Sequence, residues 1–102
     1  MTKRLDPKAR TVELLATSLR LARTHGWHSL THASVAAAAG VSVGLVVARL
    51  GTMDALRRSV MRAAVRDRCA AVVAQGLAVG DKHARRADEA LRAEAADRVR
   101  AA

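Results

Sequence analysis

A chain of 102 residues with one Trp, no Phe and no Tyr must fill its core with something other than rings. Ala occupies 24 positions, so the interior has to come from small side chains on closely packed helices, and an all-α fold is expected. With 51% apolar residues, 26% charged residues and one Pro, the chain is one small domain. It is neither a two-domain enzyme nor a disordered polypeptide.

Charge narrows the function. Eighteen Lys and Arg face nine Asp and Glu, a net charge of +9, which points to a polyanionic partner, either nucleic acid or an anionic membrane. The excess is uneven: residues 1–75 hold 12 basic against 4 acidic side chains, and residues 76–102 hold 6 against 5. No apolar run approaches the roughly 18–20 residues needed to cross a bilayer, and no membrane role is expected. The N-terminus MTKRLDPKAR turns polar where a leader would turn apolar. Cys69 alone closes no internal disulfide and builds no multi-cysteine zinc site. A cytoplasmic protein is expected.

Catalysis finds no support. No nucleophile sits with a base and no carboxylate pair marks a cleft, so the chain reads as no enzyme and needs no cofactor. His25, His28 and His32 have metal-like spacings of three and four, but Gly26 interrupts the helix and no Cys or nearby carboxylate completes a set. No metal is expected.

Helix signals punctuate the chain. Asp6 before Pro7 starts a helix to about His25, with Leu15, Leu19 and Ala22 inward, Leu14, Ser18 and Leu21 beside them, and Gly26 as a left-handed cap. Trp27 should plug the core where the chain turns. Thr31 caps a short helix from about His32 to Ala39, with Val35, Ala36 and Ala39 inward. Ser42 caps a third helix to about Leu50. Thr52 opens a fourth, with Leu56, Val60, Ala63 and Ala64 inward and Arg57, Arg58, Arg62, Arg66 and Arg68 outward, extending toward Val72 and Val73. Gly76, Gly80 and Asp81 mark a compositional break, which divides the chain into a domain of residues 1–75 and a charged, Ala-rich tail of residues 76–102. The tail's stripe of Ala84, Ala87, Leu91 and Ala95 is thin, so the tail is expected to be a solvated helix or disordered.

Two short helices joined by Ala-Gly-Val-Ser make a helix-turn-helix pattern. Gly40 supplies the positive φ of the sharp turn, Val41 seals it, and Ser42 caps a helix able to enter a major groove.

The run Leu14-Leu15, Leu19, Leu21, Gly26-Trp27, Leu30-Thr31, Val35-Ala36, AAGVSVG at 38–44, Val46, Leu50 and Leu56 resembles the N-terminal DNA-binding domain of the tetracycline-repressor (TetR) family of bacterial regulators. The resemblance covers roughly residues 5–65 and implies a recognition helix at about 42–50. The family's phosphate-anchoring Tyr and Lys are replaced here by Val47 and Met53. Anchoring is left to Thr31, His32, Ser42 and Arg49, with Lys3, Arg4, Lys8 and Arg10 near the first helix. The groove-facing side would carry Val43, Gly44, Leu45, Val47 and Ala48, with Arg49 its sole long donor. Relatives carry a long C-terminal helical domain for ligand binding and dimerisation; here about 30 residues follow helix four, and no small-molecule inducer is expected.

The function expected is that of a small transcriptional regulator, bacterial or phage, that prefers certain double-stranded DNA sequences. It would pair as a homodimer or higher oligomer through helix four and the tail. Two alternatives stand beside it. One is an architectural or DNA-handling protein of a mobile element. The other is a protein-interaction module that reuses the DNA-reading face.

Overall fold

The computed structural model describes residues 6–101. Among these, seven helices are present: α1 (Pro7–His25), α2 (His32–Ala39), α3 (Val43–Leu50), α4 (Met53–Arg66), α5 (Ala70–Ala78), α6 (Lys82–Arg85) and α7 (Glu89–Ala101). A single 3-10 turn, Trp27–Ser29, joins α1 to α2, and the fold is all-α.

Local chemistry sets the helix starts. The Asp6 carboxylate accepts the Ala9 N–H at 2.8 Å and Pro7 occupies the first turn of α1, where its missing donor costs nothing. Thr31 and Ser34 exchange bonds in a capping box: Ser34 N–H donates to Thr31 Oγ1 at 2.9 Å, and Thr31 N–H donates to Ser34 Oγ at 3.0 Å. Ser42 and Thr52 cap α3 and α4 with a single bond each, their hydroxyl oxygens accepting the Leu45 and Ala55 N–H groups. Helix α1 ends differently from the expected left-handed cap. Gly26 has φ 107° and ψ 140°, an extended conformation of opposite φ sign that sends the chain straight into the 3-10 turn.

One hydrophobic core runs through the molecule. Leu14, Val35, Val46, Leu56, Val60 and Met61 are fully buried in α1 to α4, and Val72, Val73, Ala84, Leu91 and Ala95 continue the core through α5 to α7. The inward face of α1 lies one position round from the expected one. Leu14, Thr17, Ser18 and Ala22 are buried, whereas Leu15 and Leu19 are partly covered. Ser18 can occupy this place because its hydroxyl donates to the Leu14 carbonyl at 2.8 Å, leaving no unpaired polar group.

Trp27 is buried, and its indole N–H donates to the Arg57 carbonyl at 2.9 Å. Its backbone N–H donates to Gln75 Oε1, and Gln75 Nε2 reaches the Ala22 carbonyl at 3.4 Å. Helix α5 is thereby fastened to the end of α1 as well as to its apolar neighbours.

Helix α4 does not extend to Val72 and Val73. It stops at Arg66, and Arg68 turns the chain with φ 55°, a left-handed conformation that costs a non-Gly residue roughly 1 kcal/mol or more. A forked pair from the Arg68 guanidinium to the Asp88 carboxylate, at 2.6 and 3.4 Å, holds this corner against the start of α7. Asp88 also accepts the Leu91 N–H at 2.8 Å. The Arg68 hydrogen bond first, and the Leu91 N–H second, hold the Asp88 carboxyl below the usual carboxylate range.

The division expected between residues 75 and 76 passes through the middle of α5. Gly76 is buried inside that helix, where a Cβ would lie 2.5 Å from Met61 Cε and 2.7 Å from Ala84 Cβ. Its role is close approach of helices. The thin stripe of the tail is covered: Ala84, Ala87, Leu91 and Ala95 are all buried. Small residues on α5 let α7 come near enough for four modest side chains to complete the core.

Candidate nucleic-acid interface

Helices α2 and α3 meet at a bend of 111° across a short turn. That angle lies within the range of about 90–120° typical of a helix-turn-helix. The turn is a Schellman motif: Gly40 has φ 69° and ψ 36°, its N–H donates to the Ala37 carbonyl at 3.4 Å, and the Val41 N–H donates to the Ala36 carbonyl at 3.0 Å. Gly40 is needed there because this conformation penalises any Cβ.

Helix α3 is anchored on one side and bare on the other. Val46 and Leu50 are buried in the core. Val43 and Val47 are 47% and 44% exposed, and Gly44, Ala48 and Arg49 are also exposed. Leu45 is partly covered at the edge. A Cβ on Gly44 would meet only Ser42 Oγ, at 3.9 Å, so the fold itself places no demand for Gly there. The outward face is smooth and apolar, with Arg49 in the last turn as its one long hydrogen-bond donor.

The other expected contact residues fall into two groups. Thr31 and Ser42 are exposed caps whose hydroxyl oxygens already accept backbone N–H groups, leaving each O–H available to a phosphate. Lys8 is exposed in the first turn of α1. Arg10 and His32 are already engaged. Arg10 is paired with Glu13 at 2.7 Å and is partly buried, so a phosphate would have to compete with that carboxylate. His32 Nε2 donates to the Gly51 carbonyl at 2.7 Å, which makes it a brace between the start of α2 and the end of α3. Lys3 and Arg4 lie outside the described residues.

His25, His28 and His32 do not converge. The His28 ring packs edge-on to Trp27, with centroids 4.9 Å apart, while His32 turns toward Gly51. No single helix among the described residues is long and apolar enough to cross a membrane.

Residues 14–60 match the sequence model of bacterial regulatory proteins, tetR family. The match runs from the buried Leu14 of α1 to the buried Val60 of α4 and so contains the whole bent pair α2–α3. This segment is similar to the bacterial regulatory proteins of the tetR family. No curated protein and no solved structure matches the chain. The similarity accounts for the helix-turn-helix. It leaves unassigned a group of side chains on the flank of α4, where Arg57, Arg58, Lys82 and His83 gather around Trp27. The basic outer face of α4 was legible from periodicity. The approach of α6 to it was not, because Lys82 and His83 are brought there by the packing around Gly76.

Proposed function

We propose that this chain binds double-stranded DNA as a small transcriptional regulator, with α3 lying in the major groove. The exposed side of α3 beyond a 111° bend, backed by the buried Val46 and Leu50, carries the reading. A helix presented in this way can enter a groove about 12 Å wide while its own register stays fixed by the core. Selectivity would come from thymine-methyl contacts of Val43 and Val47, from Arg49, and from groove shape. Thr31, Ser42 and Lys8 would hold the backbone on either side.

A pair of copies would double the contacts by placing two α3 helices one helical turn apart, about 34 Å. The apolar groove between α5 and α7, lined by Ala74, Leu77, Ala78, Ala96 and Val99, supports such pairing. The outer side of α4, with Arg58, Arg62 and Arg66, supports it less, because like charges would meet.

The apolar face of α3 also favours a second reading, an architectural protein that holds DNA with little selectivity. Titration of labelled specific and random duplexes at two salt concentrations tests both. A large specificity ratio is the result expected for a regulator. A ratio near one with a steep salt dependence would make the protein architectural, and no binding at low salt would defeat both readings.

A further inference from the structure

A polar cleft of about 240 Å³ lies between the 3-10 turn, the first half of α4 and α6, lined by Trp27, Asp54, Arg57, Arg58, Asp81, Lys82 and His83. Two of these residues carry a buried nitrogen without a hydrogen-bond partner, Arg57 Nε and His83 Nε2. Buried nitrogens left unpaired are rare in folded proteins, and two on one cleft ask for a common hydrogen-bonding partner. Arg57 Nε is a donor at every accessible pH.

The cleft's carboxylates do not meet that need. Asp81 is engaged in starting α6, where it accepts the His83 and Ala84 N–H groups at 3.0 and 2.9 Å. Asp54 projects into solvent, its side chain 95% exposed, and only approaches Arg57 Nη1 at 4.0 Å. Arg58 and Lys82 are exposed beside the cleft with no carboxylate within ion-pair distance among the described residues. Three permanent cations therefore surround a space with an unsatisfied donor, Arg57 Nε. A tetrahedral oxyanion matches them best, because it offers several acceptor oxygens to a planar guanidinium and to an ammonium at once.

We propose that this cleft binds a phosphate group, at a site separate from the α3 face. The group comes either from a free phosphate compound or from the DNA backbone beyond the recognition helix. The site stands whether or not α3 reads sequence, since it uses none of the α3 residues.

The test uses the full chain and inorganic phosphate, with chloride at matched ionic strength as the comparison. Trp27, the sole Trp, reports by its emission, and amide shifts of Arg57, Arg58, Lys82 and His83 report by NMR. Saturable changes with phosphate and none with chloride are expected, with binding weakened about tenfold by Arg58→Ala and again by Lys82→Ala. Both side chains are exposed, so these variants keep the fold. In the second arm, long random duplex is titrated against salt. If the DNA backbone supplies the phosphate, each variant lowers the salt slope by about one; if a free compound supplies it, the slopes stay as in the parent chain. Absence of both a phosphate response and a slope change overturns the proposal and leaves water as the cleft's occupant. A response that both variants share with the parent overturns it as well.

Discussion

His32 Nε2 and the carbonyl oxygen of Gly51 are 2.7 Å apart, which ties the first residue of α2 to the residue that ends α3. A bond to a carbonyl requires the proton on Nε2, so His32 serves as a donor. We expect His32→Ala to lower stability by about 1 kcal/mol and to weaken DNA binding through a less firmly held α3. His32→Gln, which keeps a donor on a side chain of similar reach, should recover part of both. Urea midpoints and duplex affinity measured on the two variants provide the check. A loss of affinity equal in both, at full stability, would show that His32 touches DNA itself.

Arg49 and Lys8 should separate selectivity from affinity. Arg49 is the one long donor on the exposed side of α3, whereas Lys8 stands at the start of α1. We expect Arg49→Ala to cost about 1–3 kcal/mol on a preferred duplex and little on a random one. We expect Lys8→Ala to weaken both alike and to reduce the salt slope by about one. Competition titrations with the two duplexes distinguish the patterns, and an unaffected specificity ratio in Arg49→Ala would remove α3 from the reading surface.

Gly76→Ala is the substitution that sequence propensity would recommend and that packing forbids. In a helix interior, Ala is favoured over Gly by up to about 1 kcal/mol. Here the added Cβ would sit 2.7 Å from Ala84 Cβ and 3.0 Å from Met61 Sδ. Met61 can swing its terminal methyl away, but Ala84 moves only if α6 moves. We expect a net loss of about 1–3 kcal/mol, measured by chemical denaturation. A stabilised variant would mean that α6 shifts freely on α4 and α5.

The parts of this fold that were legible are those decided within a few residues. Asp6, Thr31, Ser42 and Thr52 each bond to a backbone N–H three positions on, so a sequence read locally places the starts of α1 to α4. Gly40 is similar, since its turn depends only on the two helices it joins. Arg68 is the opposite case: nothing around it demands a left-handed residue, and the bend depends on Asp88, twenty positions away. His32 reads from the sequence as a DNA contact, and its bond to Gly51 is set by tertiary packing that a local reading does not reach. Lys82 and His83 lie in a segment set apart by its composition, and only the fit of Gly76 against Ala84 and Met61 brings them to α4.

The residues after Gly76 are part of the core, unlike the solvated or disordered tail expected from their thin apolar stripe. Leu91 is 1% exposed, and Ala84, Ala87 and Ala95 are buried with it. We expect Leu91→Ala to cost about 2–5 kcal/mol, and a chain ended after Gly76 to lose cooperative thermal unfolding. Circular dichroism melts of both settle the matter. A truncated chain that melts like the parent would show α6 and α7 to be accessory.

His83 gives stability a dependence on pH in a window where few other groups titrate. Its burial comes first, and the nearby Lys82, Arg62 and Arg86 add to it, in holding its pKa below the ordinary 6.5; Asp81 opposes them. The folded chain therefore binds fewer protons than the unfolded chain between the lowered value and 6.5, so stability rises with pH across that interval. The contribution is fully present above about pH 6.5 and is lost as the pH falls through the folded-state value. We expect urea midpoints to fall between pH 7 and pH 5 in the parent chain, and to fall less in His83→Gln. If phosphate occupies the neighbouring cleft, it should blunt the same dependence, because an anion beside the ring offsets the cost of its charge. An identical slope in His83→Gln would show that His83 is not its source.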